Sequence, residues 1–348
     1  MTLHHAFIAG ATGTVGRALA RHLSQQPDWQ VTGCARSAPA APLDYELLPL
    51  DLADGAAVRA GLSTRNITHV FYCGRADYVQ ATKEPIAENV TMLRNVLDAV
   101  ESPALKHVHI VQGSKVYGSD LGPYKTPAQE SDQRVAETNW YYQQEDLLTA
   151  RSAGKAWRWS ASRPHGVCDP DVAVVRGLAR VIAVYATLMK ALNEPLHFPG
   201  TEATYRALYQ SVDSGLLARA MTWIATTPAC ENQVFNVTNG DLMRWCNLWP
   251  RIATLFDMCI GEVRPMRLAE FVRDKAPLWE RILRGHNLLP TPFAQAAVWA
   301  YGDFNFNRGY DIASSTIKLR QTGFNECMDT ETMFLAHLAH MRKERLIP

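Results

Sequence analysis

Through the first half of the chain, short apolar runs alternate with longer stretches whose apolar residues recur every three or four positions. The short runs predict strands at His5–Ala9, Gln30–Ala35, Glu46–Pro49, Val70–Gly74, Val108–Val111 and Trp157–Ser162. Helical spacing is read at Arg17–Gln25 and at Thr82–Glu101, where Val90, Leu93, Val96, Leu97 and Val100 share one face. A further helix opens at Asn139 and runs through Leu148. Pro39 with Pro42, and Pro123 with Pro127, mark loops. Strands that alternate with helices argue for a parallel, doubly wound sheet. Beyond residue 166, helical segments rich in Leu, Ala, Trp and Met dominate, broken by Gln233–Val237, which reads as a strand returning to the sheet. The predicted fold class is therefore α/β: a Rossmann-type doubly wound parallel sheet with a smaller, mostly helical C-terminal lobe. Residues 1–165, with a returning segment at about 205–240, form the cofactor-binding part. Residues 166–204 and 241–348 form a substrate lobe covering the strand ends.

The first strand runs into Gly10-Ala11-Thr12-Gly13-Thr14-Val15-Gly16 and then a helix. Gly10 permits a tight exit from the strand, Gly13 lets backbone approach a pyrophosphate, and Gly16 lets the helix pack on the strand. The N–H groups and dipole of the helix N-terminus, around Thr12, Thr14 and Val15, suit phosphate. With the next strand this is a complete βαβ unit, the context that a glycine pattern needs before it means a dinucleotide site. That second strand ends at Arg36-Ser37, where an acidic residue would accept from ribose hydroxyls. Arginine followed by a hydroxyl suits a 2′-phosphate instead, so the expected cofactor is NADP(H). Asp51 and Leu52 are placed to border the adenine, and Cys73-Gly74 to pass close to the cofactor.

Composition narrows the partners. The 348 residues are 47% hydrophobic and carry a net charge of +1, which points to neither nucleic acid nor an anionic membrane. The N-terminus lacks a signal-like pattern and no apolar run approaches a bilayer's width. Seven cysteines without a C-x-x-C pair suggest reduced thiols in a cytoplasmic setting. The histidine pairs His4/His5 and His337/His340 have no accompanying ligand cluster, so no metal is expected.

The chain resembles the extended short-chain dehydrogenases/reductases, and more narrowly the progesterone 5-beta-reductase/iridoid synthase group of enone reductases. In the first half the resemblance lies in Gly10–Gly16, Ala35-Arg36, His69–Tyr72, Asn95–Val100, Gly113-Ser114-Lys115, Gly122-Pro123, Asn139–Tyr142, Glu145-Asp146 and Arg163-Pro164. In the second half it lies in Val234–Asp241 and Lys275–Glu280. Most of the wider superfamily carries Tyr-x-x-x-Lys on one helix face, the lysine lowering the tyrosine pKa. Here Glu145 and Asp146 stand four residues after Tyr141 and Tyr142, and a carboxylate acts in the opposite direction.

The resemblance implies that Lys115 supplies the ammonium and Tyr142 the hydroxyl. Successive helical residues point about 100° apart, so only one of the two tyrosines faces the cofactor, and Tyr141 is expected to pack nearby. Gly113 stands where wider relatives carry a catalytic serine, and its small size makes room for a conjugated substrate to shift. The expected reaction is 1,4-reduction of an apolar enone or enal, with hydride added to the β-carbon. Backbone at Gly166-Val167 is expected to hold the nicotinamide carboxamide, and His165 to be structural. Tyr124, Tyr141 and Tyr205 are the expected pocket residues; Tyr185, Met189, Phe198 and Trp299 are weighed between pocket and core. The rival readings are a 1,2-carbonyl reductase or sugar-nucleotide epimerase, which normally keep the missing Tyr-x-x-x-Lys, and a non-catalytic NADP-sensing regulator. A homodimer is the superfamily habit.

Overall fold

The computed structural model describes residues 3–37, 42–76, 84–137 and 139–348. The loop residue Pro39 and the expected helix start at Thr82 lie outside those residues.

Seven strands form one parallel sheet. They are β1 (His4–Ala9), β2 (Trp29–Ala35), β3 (Glu46–Pro49), β4 (His69–Tyr72), β5 (His107–Val111), β6 (Arg158–Pro164) and β7 (Gln233–Val237). Their order across the sheet is β7-β6-β5-β4-β1-β2-β3, the two-way winding that leaves a crevice at the carboxyl ends between β1 and β4. The intervening helices α1 (Thr14–Ser24), α2 (Gly55–Leu62), α3 (Ile86–Val100) and α4 (Trp140–Ser152) cover both faces. Helix α3 starts at Ile86 because Pro85 stands at its N-cap. Helix α2 has weak apolar spacing, but Asp54 caps it by accepting from the amides of Ala56 and Ala57. Among the described residues, no helix is long and apolar enough to cross a membrane.

On one face of the sheet, Leu19 and Leu23 of α1 pack with Leu216, Leu217 and Met221 of the helix Ser214–Thr226 and with Phe235 of β7. On the other, Leu93, Val96 and Leu97 pack with Phe7, Val70, Val108 and Ile110. A third core belongs to residues beyond 166, where Phe198, Trp245, Trp249, Phe306 and Phe334 form an aromatic cluster. Tyr185, Met189 and Phe198 are fully buried in this core, with the Tyr185 hydroxyl donating to the His197 carbonyl at 3.0 Å, so these three pack rather than line a cleft.

The amino ends of β1, β4 and β5 are unusual for a core, because they bury histidines. His5 Nε2 lies 2.9 Å from Thr32 Oγ1, and His69 Nδ1 lies 2.8 Å from Thr68 Oγ1. His107 and His109 share Ser160 Oγ at 2.7 and 2.8 Å, and His109 reaches Ser162 Oγ at 3.1 Å with its other nitrogen. Burial pushes the pKa values of His69, His107 and His109 down to about 3, so these rings are neutral. All seven cysteines are unpaired.

Candidate active site

The glycine turn is built for close approach. Gly10 has φ +73°, a left-handed conformation that suits glycine. A Cβ on Gly16 would lie 2.2 Å from the Gly10 carbonyl oxygen, so no side chain fits where α1 crosses β1. Gly13 is the N-cap of α1 and makes no side-chain cap bond, and the first helical turn holds no acidic residue. That end of the helix offers N–H groups and positive dipole to an anion, and the cradle fits a pyrophosphate. Gly16→Ala is therefore expected to destabilise the chain by about 2 kcal/mol or more and to weaken dinucleotide binding. Thermal unfolding and cofactor titration check this; an alanine variant as stable as the native chain would contradict the packing argument.

The other predicted cofactor positions ring this turn. Arg36 and Ser37 are exposed just after β2. Asp51 Oδ1 accepts from the Ala53 amide at 2.9 Å, and Leu52 is buried beside Gly74, whose built Cβ would come within 3.0 Å of it. Cys73 follows β4 with its amide bonded to the Ala9 carbonyl at 3.0 Å, which ties it to the end of β1. Gly166 has φ +53° and lies under the Tyr209 hydroxyl, 2.9 Å from where its Cβ would be.

The two tyrosines of α4 part company. Asn139 caps the helix by accepting from the Tyr141 amide at 2.9 Å. Tyr142 points into a small cluster with Val116, Tyr117 and Ala128. Its hydroxyl donates to the Val116 carbonyl at 2.5 Å and accepts from the Val135 amide at 3.1 Å, while the Arg134 guanidinium sits 4.8 Å above its ring. Burial raises its pKa above the ordinary phenol value. Tyr141, one residue earlier and turned about 100°, points to the carboxyl ends of β5 and β6. A Cβ built on Gly113 would lie 3.5 Å from the Tyr141 hydroxyl and 3.6 Å from the Pro164 carbonyl. Tyr142, the expected hydroxyl donor, thus packs with its hydroxyl engaged by backbone, while Tyr141 lies at the strand ends beside Gly113.

Lys115 lies in the turn after β5, with its ammonium 2.9 Å from Glu84 Oε1 and 3.7 Å from Asp120 Oδ2. Glu84 Oε2 accepts from the Trp140 indole at 2.7 Å, and the Trp140 ring lies 4.0 Å from that of Tyr141. One carboxylate therefore ties the lysine to the tryptophan beside Tyr141. Sequence reading missed Glu84 and Trp140, because neither stands at a telling spacing from Lys115.

Glu145 and Asp146 have other partners. Arg163, at the end of β6, gives Nη2 to Glu145 at 3.0 Å, Nε to the Gln112 side chain at 2.8 Å and Nη1 to the Tyr117 hydroxyl at 3.1 Å. Gln112 in turn donates to the Tyr141 carbonyl at 3.1 Å. Arg134 holds Glu145 and Asp146 from outside, at 3.1 and 2.8 Å. This network fixes the first turn of α4 against the sheet.

Among the expected pocket residues, Tyr124 is half-buried and lines a 420 Å³ cleft with Tyr117, Leu121 and Pro123. Tyr205 stacks on Phe198 at 4.9 Å and Trp299 lies 6.1 Å from Phe293, both at the edge of the C-terminal core.

The model of the PRISE-like Rossmann-fold domain family matches residues 60–348. The chain belongs to the PRISE-like family. Two curated relatives are similar along nearly its whole length: the (S)-8-oxocitronellyl enol synthases of Antirrhinum majus, 32% identical, and Catharanthus roseus, 31% identical. Each alignment spans 99% of this chain and 92% of the relative. Membership of the PRISE-like family makes this chain an enzyme, an oxidoreductase of the short-chain dehydrogenase/reductase type. Solved structures agree on the fold. A short-chain dehydrogenase/reductase superfamily protein from Agrobacterium tumefaciens, with bound NAD, superposes with TM-score 0.70 at 16% identity, covering 99% of this chain and 98% of that one. RMD from Pseudomonas aeruginosa, complexed with NADPH, gives 0.67 at 15% identity, covering 98% of both chains.

Proposed function

We propose that this PRISE-like enzyme reduces the activated carbon–carbon double bond of enones or enals with NADPH, and that Tyr141, not Tyr142, meets the substrate oxygen. The observation that carries the reading is the placement of the Tyr141 hydroxyl beside Gly113. The glycine turn, the open N-terminus of α1 and Arg36 at the end of β2 would hold the cofactor, Arg36 favouring the 2′-phosphate. Bound there, NADPH supplies a hydride to the β-carbon. The Tyr141 hydroxyl donates to the carbonyl oxygen as it takes on enolate charge, and the α-carbon then takes its proton from solvent. Gly113 leaves room beside the oxygen that a serine would fill. Lys115 favours charge build-up near Tyr141, while Glu84 fixes the lysine.

The test is NADPH oxidation against a panel of cyclic and linear enones, enals, ketones and sugar nucleotides, run with deuteride-labelled NADPH. Label on the β-carbon is expected; label on a carbinol carbon would assign a 1,2-carbonyl reduction instead. Lys115→Met is expected to lower kcat/KM by about ten- to a hundredfold, through loss of one favourable charge near the developing anion. Full activity in that variant would remove Lys115 from the mechanism.

A further inference from the structure

A second polar centre lies above the same strand ends, and the reaction as described does not use it. Arg308 follows the helix Trp299–Phe306, with its guanidinium carbon 4.1 Å over the Phe304 ring. Its Nε and Nη1 are closed off from solvent and meet no hydrogen-bond acceptor among the described residues. The carboxylates nearest in sequence are committed elsewhere. Asp303 accepts from the Leu268 and Ala269 amides, and Asp311 from the Leu208 amide at 2.8 Å. The neighbouring Tyr310 donates to the Ser119 carbonyl at 2.8 Å, which docks this stretch on the turn that carries Lys115.

His165 stands across from it, at the end of β6. Its Nδ1 lies 2.6 Å from Ser114 Oγ, which also meets Ser119 Oγ at 2.8 Å, while its Nε2 is buried without a partner. Burial and the positive charge of Arg308 keep the ring neutral. Ser114 Oγ engages Nδ1, so Nε2 is the open position of the ring, and it is a donor in the tautomer that accepts the Ser114 hydroxyl at Nδ1. Arg308 charge also acts on the Tyr124 phenol, which lies near it. A guanidinium denied acceptors is costly in a protein interior, and the unpartnered imidazole Nε2 beside it adds to that cost. They make sense where a ligand brings the acceptor, and a planar fork of donors matches a carboxylate.

We propose that Arg308 and His165 receive a carboxylate at the far end of the substrate, so that this enzyme acts on oxo acids whose enal or enone group lies at one end and a carboxylate at the other. This rests on the enone-reductase reading, with the reacting carbonyl at Tyr141 and the acid at Arg308 fixing the chain at two points.

The test has a binding arm and a turnover arm. On the protein loaded with NADP, calorimetry compares octanoate with octanol. Octanoate is expected to bind at least about tenfold more tightly, the worth of charge-assisted hydrogen bonds. Arg308→Met should erase that preference and Arg308→Lys restore part of it. A purely structural arginine would show itself by a lowered melting temperature in Arg308→Met, whereas removing an unpaired buried charge leaves it unchanged or raised. In turnover, trans-2-hexenal bearing a terminal carboxylate is compared with the methyl ester of the same acid. The acid-to-ester ratio of kcat/KM is expected to fall about tenfold or more in Arg308→Met. Equal use of acid and ester, with equal binding of octanoate and octanol, overturns the proposal while leaving the enone-reductase reading intact. No turnover of any enal, with octanoate still preferred through Arg308, sinks the reaction and keeps the anion site. Tighter Arg308-dependent binding of UDP than of octanoate would assign the guanidinium to a phosphate and overturn the carboxylate.

Discussion

Replacing Tyr141 with phenylalanine is expected to lower kcat/KM for enone reduction by about a hundred- to a thousandfold, the usual cost of removing one donor aimed at a developing oxyanion. The same change at Tyr142 is expected to act on stability instead. Its hydroxyl is spent on the Val116 carbonyl and the Val135 amide, so Tyr142→Phe leaves a buried acceptor and a buried donor without partners, at about 1–3 kcal/mol. Steady-state kinetics and thermal unfolding on both variants separate the roles. A Tyr142→Phe enzyme that is stable but inactive, beside an active Tyr141→Phe enzyme, would return the hydroxyl role to Tyr142.

The second large effect is acid sensitivity. His69, His107 and His109 have native pKa values of about 3, against 6.5 for an unhindered histidine. Above pH 6.5 these rings are neutral whether the chain is folded or not, and they add nothing to pH dependence. As pH falls below 6.5 the unfolded chain takes up protons that the native chain refuses, so stability drops until about pH 3. At pH 5 each ring costs about 2 kcal/mol by this count, and three cost about 6 kcal/mol, comparable to the whole stability of many domains. Urea unfolding at pH 8 and pH 5 is expected to reveal most of that loss. His109→Gln should flatten the dependence by about one proton. A loss smaller than about 2 kcal/mol for the native chain would mean that the buried histidines accept charge after all.

Much of this was legible in the chain itself. The strands Glu46–Pro49 and Gln233–Val237 were expected with the bounds they have, because each is a short apolar run with sharp flanks, the first on the half-exposed sheet edge and the second partly buried at the other edge. The glycine turn was equally clear, since a strand before it and a helix after it leave one geometry. Helix α2 was missed because its sequence, Gly-Ala-Ala-Val-Arg-Ala-Gly-Leu, carries little periodicity and its signal is a lone cap at Asp54. The choice between Tyr141 and Tyr142 was out of reach for a different reason. Helical geometry says that they diverge, but which one finds the strand ends depends on where α4 docks. That docking is set by Arg163, Gln112 and the backbone of Val116, all distant in sequence. Arg308 is harder still. Its distinguishing property is the lack of an acceptor, and only the assembled C-terminal half reveals a lack.

The Arg163–Glu145 pair limits which substitutions the first turns of α4 tolerate. Restoring the commoner lysine four residues after Tyr141, at position 145, would set a new cation beside Arg163 and Arg134 and strip both of their shared carboxylate. Removing one partner from a buried ion pair is strongly destabilising. A lysine at position 145 therefore does not fit this interior unless Arg163 and Arg134 change with it.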